Sequence, residues 1–215
     1  MKLVIFDLDG TLLNTLKDLM CAVNAALATC NFPPRTQEEI QQFVGNGVSK
    51  LLERSLAQGE KTPEHLTRLK SAFFTYYDAH LWDYTQPYPG IKKLLQGLAS
   101  RHVQLAIASN KYQSAVERLA AHFFPQVPFA AVLGQREGIP TKPNPQIVFE
   151  ILKIAGVSPA DALYVGDSAV DMQTAQNAGV KACGVTWGFR PRATLAAYCP
   201  AWLVDAPKEI LPYID

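Results

Sequence analysis

Two carboxylates near the start of this 215-residue chain stand where an acid could take part in a reaction. Asp7 and Asp9 follow the apolar run Val4–Phe6, and Gly10 comes next. The apolar run predicts a buried strand, and open α/β sheets carry their active sites at the ends of such strands. A carboxylate there can be a nucleophile, a proton carrier or a metal ligand. The alternative is a strand-to-loop turn in which Asp and Gly supply only turn propensity.

A second pair of acids follows another predicted strand. Asp167 and Asp171 come after the run Ala162–Gly166, and they could simply be the N-cap and a first-turn acid of the following helix. If this strand lies beside the first one, the pair meets Asp7 and Asp9. Four carboxylates in one region require a hard cation that offsets their charge. We therefore expect Mg²⁺, which takes oxygen ligands and is usually held by one or two carboxylates together with a phosphate.

Three further residues complete the candidate site. Ser109 and Asn110 end a third apolar run, where a hydroxyl and the free amides of the next helix could bind an anion. Helix capping alone would also explain this pair. Lys142 lies in the segment Thr-Lys-Pro-Asn-Pro, whose prolines keep the loop extended and stiff. Held against the acids, Lys142 would neutralise charge and bind a phosphate oxygen; the alternative is a surface lysine.

The formal charges favour phosphoryl transfer. The four acids carry four negative charges when ionised, and Mg²⁺ with Lys142 supplies three positive ones. One negative charge remains, or none if Asp9 is protonated. A phosphate dianion could enter only with the metal and lysine present, and Mg²⁺, Lys142 and the Ser109 hydroxyl would then bind it. Positioning and charge neutralisation supply most of the catalysis in such reactions.

The order of the apolar runs predicts an α/β fold, a doubly wound parallel sheet of the Rossmann type. Short apolar runs typical of strands buried on both faces lie at Leu3–Leu8, Val103–Ser109, Phe129–Leu133, Ala162–Gly166 and Val180–Thr186. Helical patterns lie between them at Ile91–Ala99, Gln113–Phe123, Pro145–Ala155 and Ala169–Ala178. An edge strand at Trp202–Asp205 and a closing helix at Pro207–Ile214 are expected at the end.

One interval breaks this alternation and predicts a second domain. Residues 15–82 contain helical patterns and no convincing strand, so we expect a small all-helical cap domain inserted after the first strand. Residues 1–14 and 83–215 would form the α/β core, and the cap would act as a lid. Gly45, Asn46 and Gly47 could place backbone amides near the leaving group of a substrate. They could equally form a helix-to-helix turn.

Composition excludes several other classes of protein. The net charge of +1 gives no broad field for nucleic acid or an anionic membrane. The scattered cysteines and histidines show no metal-ligand spacing. No apolar run is long enough for a membrane span or a signal peptide. We expect a cytoplasmic protein, a monomer or weak homodimer, that acts on a small phosphorylated metabolite.

The four motifs, in this order, resemble those of the haloacid dehalogenase superfamily of phosphotransferases. Asp7-Leu8-Asp9-Gly10-Thr11 is similar to its first motif, Ser109 to its second, Lys142 to its third and Gly166-Asp167-Ser168 with Asp171 to its fourth. The helical insertion resembles the C1 cap of that superfamily. Gly45-Asn46-Gly47-Val48 and Gly184-Val185-Thr186-Trp187-Gly188 resemble its phosphoglycolate phosphatase-like branch.

This resemblance implies a role for each motif residue. Asp7 would be the nucleophile that becomes an aspartyl phosphate, and Asp9 would protonate the leaving alcohol and then activate water. Mg²⁺ would be bound by Asp7, the backbone carbonyl of Asp9 and Asp167, and Asp171 would help through a bound water or by orienting Lys142. The transferring phosphoryl group would be held by Ser109, Asn110 and the backbone amides of Leu8 and Asp9.

The resemblance implies a Mg²⁺-dependent hydrolase of a small, phosphoglycolate-like phosphomonoester. Asp9 favours a phosphatase or a mutase, because the P-type ATPases of the superfamily carry Thr there and its dehalogenases lack this acid. Alternatives are a sugar phosphomutase of the β-phosphoglucomutase type, another phosphatase such as a pyrophosphatase or nucleotidase, or a ligand-binding protein that keeps the fold. Asn14 departs from the acid that many relatives carry, which concerns the entry into the cap and not the chemistry.

Overall fold

The structure, a computed structural model, describes residues 1–214. The chain divides into two compact units. One comprises Met1–Asn14 and the chain from Pro87 onward, and the other comprises Thr15–Gln86. The second unit begins where the helical insertion was predicted to begin, and it ends four residues beyond the predicted residue 82.

The elements of residues 1–214 are numbered in chain order. The strands are β1 Leu3–Phe6, β2 Leu13–Asn14, β3 Gln86–Pro87, β4 Gln104–Tyr112, β5 Phe129–Gln135, β6 Ala162–Gly166, β7 Lys181–Val185 and β8 Trp202–Val204. The α-helices are α1 Leu16–Thr29, α2 Gln37–Phe43, α3 Val48–Ser55, α4 Pro63–Tyr77, α5 Ile91–Ala99, α6 Gln113–Phe123, α7 Gln146–Ala155, α8 Ala169–Ala178 and α9 Arg192–Ala196.

A parallel sheet of six strands forms the centre of the first unit, in the order β5-β4-β1-β6-β7-β8. The helices alternate with these strands along the chain, so the predicted α/β fold of the Rossmann type is confirmed. β1 lies in the middle, between β4 and β6, and all four of its residues are fully buried. The carboxyl ends of β1, β4 and β6 are therefore neighbours, which brings the predicted motifs to one edge of the sheet.

Several element bounds differ from the prediction. β1 ends at Phe6, so Asp7 is the first residue beyond it. β4 continues through Tyr112, three residues beyond the predicted end at Ser109. The closing helix expected over Pro207–Ile214 is a 3₁₀ helix over Pro207–Tyr213, and Pro212 lies inside it.

The second unit contains α1 to α4. Thr36 and Glu39 form a reciprocal capping box that starts α2. Within this unit the buried carboxylate of Asp18 accepts hydrogen bonds from the backbone of Tyr84 and from Thr85. Gly45, Asn46 and Gly47 lie in the short connection from α2 to α3, which comprises residues 44–47. No helix within residues 1–214 is both long and apolar enough to cross a membrane.

Candidate active site

Asp7 lies immediately beyond the central strand. Its backbone N–H donates to the Val165 carbonyl of β6 at 2.9 Å. The chain then turns tightly, because three successive amides donate to the Leu8 carbonyl at 3.0 to 3.3 Å, those of Thr11, Leu12 and Leu13. Gly10 has a φ of 88°, in the left-handed region that glycine adopts without strain. This turn leaves Asp7 almost buried at the carboxyl edge of the sheet.

The ammonium group of Lys142 lies among four oxygen atoms. Its Nζ is 2.9 Å from Asp7 Oδ1 and 2.7 Å from Asp171 Oδ1. The Tyr164 hydroxyl and the Ala108 carbonyl are each 2.9 Å away. The side chain is 2% exposed, so these oxygens satisfy the three N–H donors of the ammonium without solvent. The structure thus brings Lys142 into contact with two of the predicted acids.

Asn110 holds the backbone of this lysine. Its Nδ2 donates to the Lys142 carbonyl at 3.1 Å, and its Oδ1 accepts from the Lys142 N–H at 2.8 Å. The Asn110 amide therefore contacts the lysine loop. The Ser109 hydroxyl accepts from the Lys111 N–H at 3.2 Å. Neither Ser109 nor Asn110 caps the following helix, which begins at Gln113.

An irregularity in β4 explains why three consecutive polar side chains are buried there. Ala108 pairs with Leu133 and Tyr112 pairs with Gln135, so four steps along β4 match two along β5. In a regular strand, successive side chains would point to opposite faces of the sheet, whereas a bulge redirects them. The residues between the two pairs are Ser109, Asn110 and Lys111, at 2%, 5% and 5% exposure.

Asp171 belongs to a helix cap and to the lysine cluster at the same time. Ser168 is the N-cap of α8, and its side chain accepts from the Asp171 N–H. Asp171 Oδ2 accepts in return from the Ser168 N–H at 3.1 Å and from its hydroxyl at 2.6 Å. The other oxygen, Oδ1, accepts from Lys142. Asp171 therefore takes part in the helix cap and also contacts Lys142 in the site. The N-cap residue itself is Ser168 and not Asp167.

The side chain of Asp167 contacts both the turn that follows β1 and the loop that contains Phe189. Its Oδ2 accepts from the Phe189 N–H at 2.7 Å, and its Oδ1 accepts from the Thr11 hydroxyl at 3.3 Å. Gly10 and Gly188 pack directly against this side chain, and a Cβ atom at either glycine would collide with it. The carboxylate is 2% exposed, so its position is fixed by two loops.

Three carboxylates meet in this site. One oxygen from each of Asp7, Asp167 and Asp171 lies within 4.8 Å of the others. Burial raises the pKa of Asp7 to about 7, although the nearby Lys142 opposes the shift. Burial, together with the charges of Asp171 and Asp7, also holds the pKa of Asp167 well above its usual range. Burial alone would lower the pKa of Lys142, but Asp171 and Asp7 hold it well above its usual range. Three hard oxygen donors with an excess of negative charge fit Mg²⁺.

Asp9 is paired separately, with Lys111. The Nζ atom of Lys111 is 3.1 Å from both carboxylate oxygens of Asp9. The side chains are 2% exposed for Lys111 and 14% for Asp9. The ammonium of Lys111 therefore adds one positive charge to those of Lys142 and Mg²⁺. With Lys111 included, four acids face two lysines, and the two charges of one Mg²⁺ would balance the remaining two negative charges.

Comparison with known proteins identifies the family. Residues 4–185 match the haloacid dehalogenase-like hydrolase family. The chain belongs to this family. It is 34% identical to "Phosphoglycolate phosphatase 1" of Pseudomonas aeruginosa, over 100% of this chain and 80% of that protein. It is 33% identical to "Phosphoglycolate phosphatase" of Pasteurella multocida, over 100% of this chain and 98% of that protein.

Solved structures of the family have the same fold. The crystal structure of a predicted phosphoglycolate phosphatase from Haemophilus somnus 129pt has a TM-score of 0.93 to this chain, at 31% identity, and covers 100% of this chain and 98% of its own. A corresponding crystal structure from Lactobacillus delbrueckii subsp. bulgaricus has a TM-score of 0.92 at 32% identity, with 99% and 98% covered.

Sequence reasoning missed two residues of this haloacid dehalogenase-like site. Lys111 follows Ser109 and Asn110 directly, but a lysine in a polar segment usually indicates a surface. Tyr164 lies within the predicted strand Ala162–Gly166, and the apolar pattern of that strand gives no indication that the tyrosine hydroxyl contacts the site. The sequence offers one signal for both residues, which is their distance from the motifs. Lys111 lies two residues after Ser109 and Tyr164 lies three residues before Asp167, so both are close to strand ends.

Proposed function

We propose that this chain is a Mg²⁺-dependent phosphatase that hydrolyses a small phosphomonoester, such as phosphoglycolate, through an aspartyl phosphate on Asp7. One observation carries the proposal most directly. A carboxylate at the end of the central strand contacts a buried lysine within a cluster of three acids. Such a site has an excess of negative charge until a cation binds, and it then suits a phosphate dianion. The curated relatives named as phosphoglycolate phosphatases support the same class of substrate.

Asp7, Asp167 and Asp171 offer the oxygen atoms that would hold Mg²⁺, with the backbone carbonyl of Asp9 as a further ligand. The bound metal would supply charge stabilisation to the phosphate oxygens. Asp171 already uses Oδ1 for Lys142 and Oδ2 for Ser168, so we expect it to act mainly by fixing the lysine. The Lys142 ammonium would contact a phosphate oxygen, and Ser109 offers its hydroxyl for another.

The reaction would proceed in two steps. In the first, a carboxylate oxygen of Asp7 attacks phosphorus, the bond to the ester oxygen breaks, and Asp9 gives its proton to the departing alcohol. In the second, Asp9 takes a proton from water as that water attacks phosphorus. Phosphate leaves and the Asp7 carboxylate is regenerated. Covalent catalysis of this kind divides one difficult displacement into two easier ones.

The Asp7→Asn variant tests this proposal. We expect loss of at least about 100-fold in kcat for 2-phosphoglycolate and p-nitrophenyl phosphate, because an amide is a poor nucleophile. Chelation of Mg²⁺ should abolish the activity of the unchanged protein, and added Mg²⁺ should restore it. Asp161→Asn is the matched control, since Asp161 is an exposed acid of the same unit that pairs with Lys2. Equal turnover by the Asp7 variant and the unchanged protein would refute the proposal.

Product analysis separates this proposal from a mutase. A phosphatase releases one inorganic phosphate for each ester consumed, whereas a sugar phosphomutase would interconvert sugar phosphates without releasing phosphate. A panel of phosphorylated metabolites then identifies the preferred ester. We further propose that residues 15–86 act as the cap and that Gly45, Asn46 and Gly47 take part in substrate selection. An Asn46→Ala variant should then change KM among esters more than it changes kcat on p-nitrophenyl phosphate.

A further inference from the structure

We propose that Lys111 is a positioning residue for Asp9. Its ammonium holds the Asp9 carboxylate in the orientation that lets this group give a proton to the leaving alcohol and later take one from water. The inference rests on the proposed function, which assigns proton transfer to Asp9. It adds a residue that no sequence motif had singled out.

The geometry of the contact indicates orientation as well as neutralisation. Lys111 Nζ is equally distant, at 3.1 Å, from both oxygens of Asp9. A carboxylate has about four lone-pair sites, and a cation that bridges both oxygens occupies one on each and prevents rotation of the group. The remaining sites face away from the lysine. A leaving alcohol or a water molecule would then always meet Asp9 from the same side.

The two partners also differ in how firmly the chain holds them. Lys111 lies inside β4, its N–H is bound by the Ser109 hydroxyl, and its side chain is 2% exposed. Asp9 lies in the turn after β1, next to a glycine with a left-handed φ. A group fixed in the sheet therefore restrains a group on a loop. Without the ammonium, the Asp9 side chain would keep its loop backbone but lose the contact that joins both of its oxygens to β4.

Stability alone cannot test this role, because removing one partner of a buried ion pair destabilises many proteins. Leaving-group dependence can. An alkyl alcohol needs a proton as the ester bond breaks, so its departure depends on Asp9. A p-nitrophenolate ion departs without one. A misplaced acid should therefore slow the first kind of ester much more than the second, whereas a merely weakened fold should slow both equally.

The experiment compares Lys111→Met, Lys111→Arg and, as a control, Lys2→Met, whose lysine is in an exposed ion pair. At saturating Mg²⁺ we expect Lys111→Met to lower kcat/KM about 10- to 100-fold for 2-phosphoglycolate and propyl phosphate, since a positioned acid contributes about 100-fold or more. The fall for p-nitrophenyl phosphate should be under about threefold. Lys111→Arg should restore part of the loss. Equal losses on all three esters, or a loss confined to 2-phosphoglycolate, would overturn the inference.

A second measurement keeps this result separate from the proposed function. In an Asp9→Asn background, Lys111→Met should change kcat/KM for propyl phosphate by less than about twofold, because the acid that it positions is gone. A loss as large as in the unchanged protein would show that Lys111 acts on something else. If Asp7→Asn stayed active, the phosphatase proposal itself would fail, whichever result Lys111 gave.

Discussion

The affinity for Mg²⁺ should depend strongly on pH, because burial raises the pKa of Asp7 from 3.8 to about 7. Between about pH 4 and 7 the metal-free folded protein keeps a proton that the unfolded chain has released. This proton stabilises the metal-free fold at low pH, and the contribution is lost as the pH rises toward 7. Mg²⁺ requires the ionised carboxylate, so binding of the metal should strengthen over the same interval.

The magnitude follows from the ionised fraction of Asp7. With a pKa of about 7, about a tenth of the group is ionised at pH 6 and about nine tenths at pH 8. The dissociation constant for Mg²⁺ should therefore be about tenfold larger at pH 6 than at pH 8, a difference of about 1.4 kcal/mol in binding free energy. The pKa of Asp167 is also raised, which should act in the same direction.

Isothermal titration calorimetry with Mg²⁺ at both pH values measures this change, and buffers of different ionisation enthalpy report the proton released. Thermal unfolding gives the opposite trend for the metal-free protein, whose stability should decrease from pH 5 to pH 7. The Asp161→Asn variant should behave like the unchanged protein, since Asp161 is exposed. Equal dissociation constants at pH 6 and pH 8, with no proton release, would refute the reasoning.

Two substitutions in the site test its packing and its hydrogen bonds. Gly188→Ala should weaken Mg²⁺ binding at least about tenfold and lower thermal stability, because the added Cβ would collide with Asp167. Gly59→Ala is the matched control in calorimetry and thermal unfolding, since a Cβ at Gly59 meets no atom within 4 Å. Equal behaviour of the two variants would contradict the packing argument. Tyr164→Phe removes a hydroxyl that contacts the Lys142 ammonium, and should cost about 1 to 2 kcal/mol in denaturant unfolding; an unchanged midpoint would show that the hydroxyl contributes nothing.

The parallel sheet and its edge could be predicted because they depend on local patterns. The run Ala162–Gly166 is apolar throughout and ends at a glycine, and the structure has the same bounds. Helices α5, α6 and α8 likewise begin and end where their apolar periodicity does. These are features that neighbouring residues determine among themselves.

The pairing of Asp9 with Lys111 could not be predicted, because it joins residues 102 positions apart in sequence. The bulge that buries Lys111 depends on the register of β4 against β5, which no short pattern in β4 specifies. Asn110 is a similar case, since its contact with the Lys142 backbone requires the loop at 142 to be in place. The cytoplasmic location and the oligomeric state stay predictions.

The central position of β1 has a consequence for synthesis on the ribosome. β1 is made first, but its partners β4 and β6 begin only at Gln104 and Ala162. At 5–20 residues per second, completion of β6 follows that of β1 by about 8 to 30 seconds. Until β4 is complete, the apolar tetrapeptide of β1 has neither of its neighbours in the sheet, and until β6 is complete it has at most one. We therefore expect the nascent chain to need protection from aggregation until β6 has been translated, and the acids of the site to come together only then.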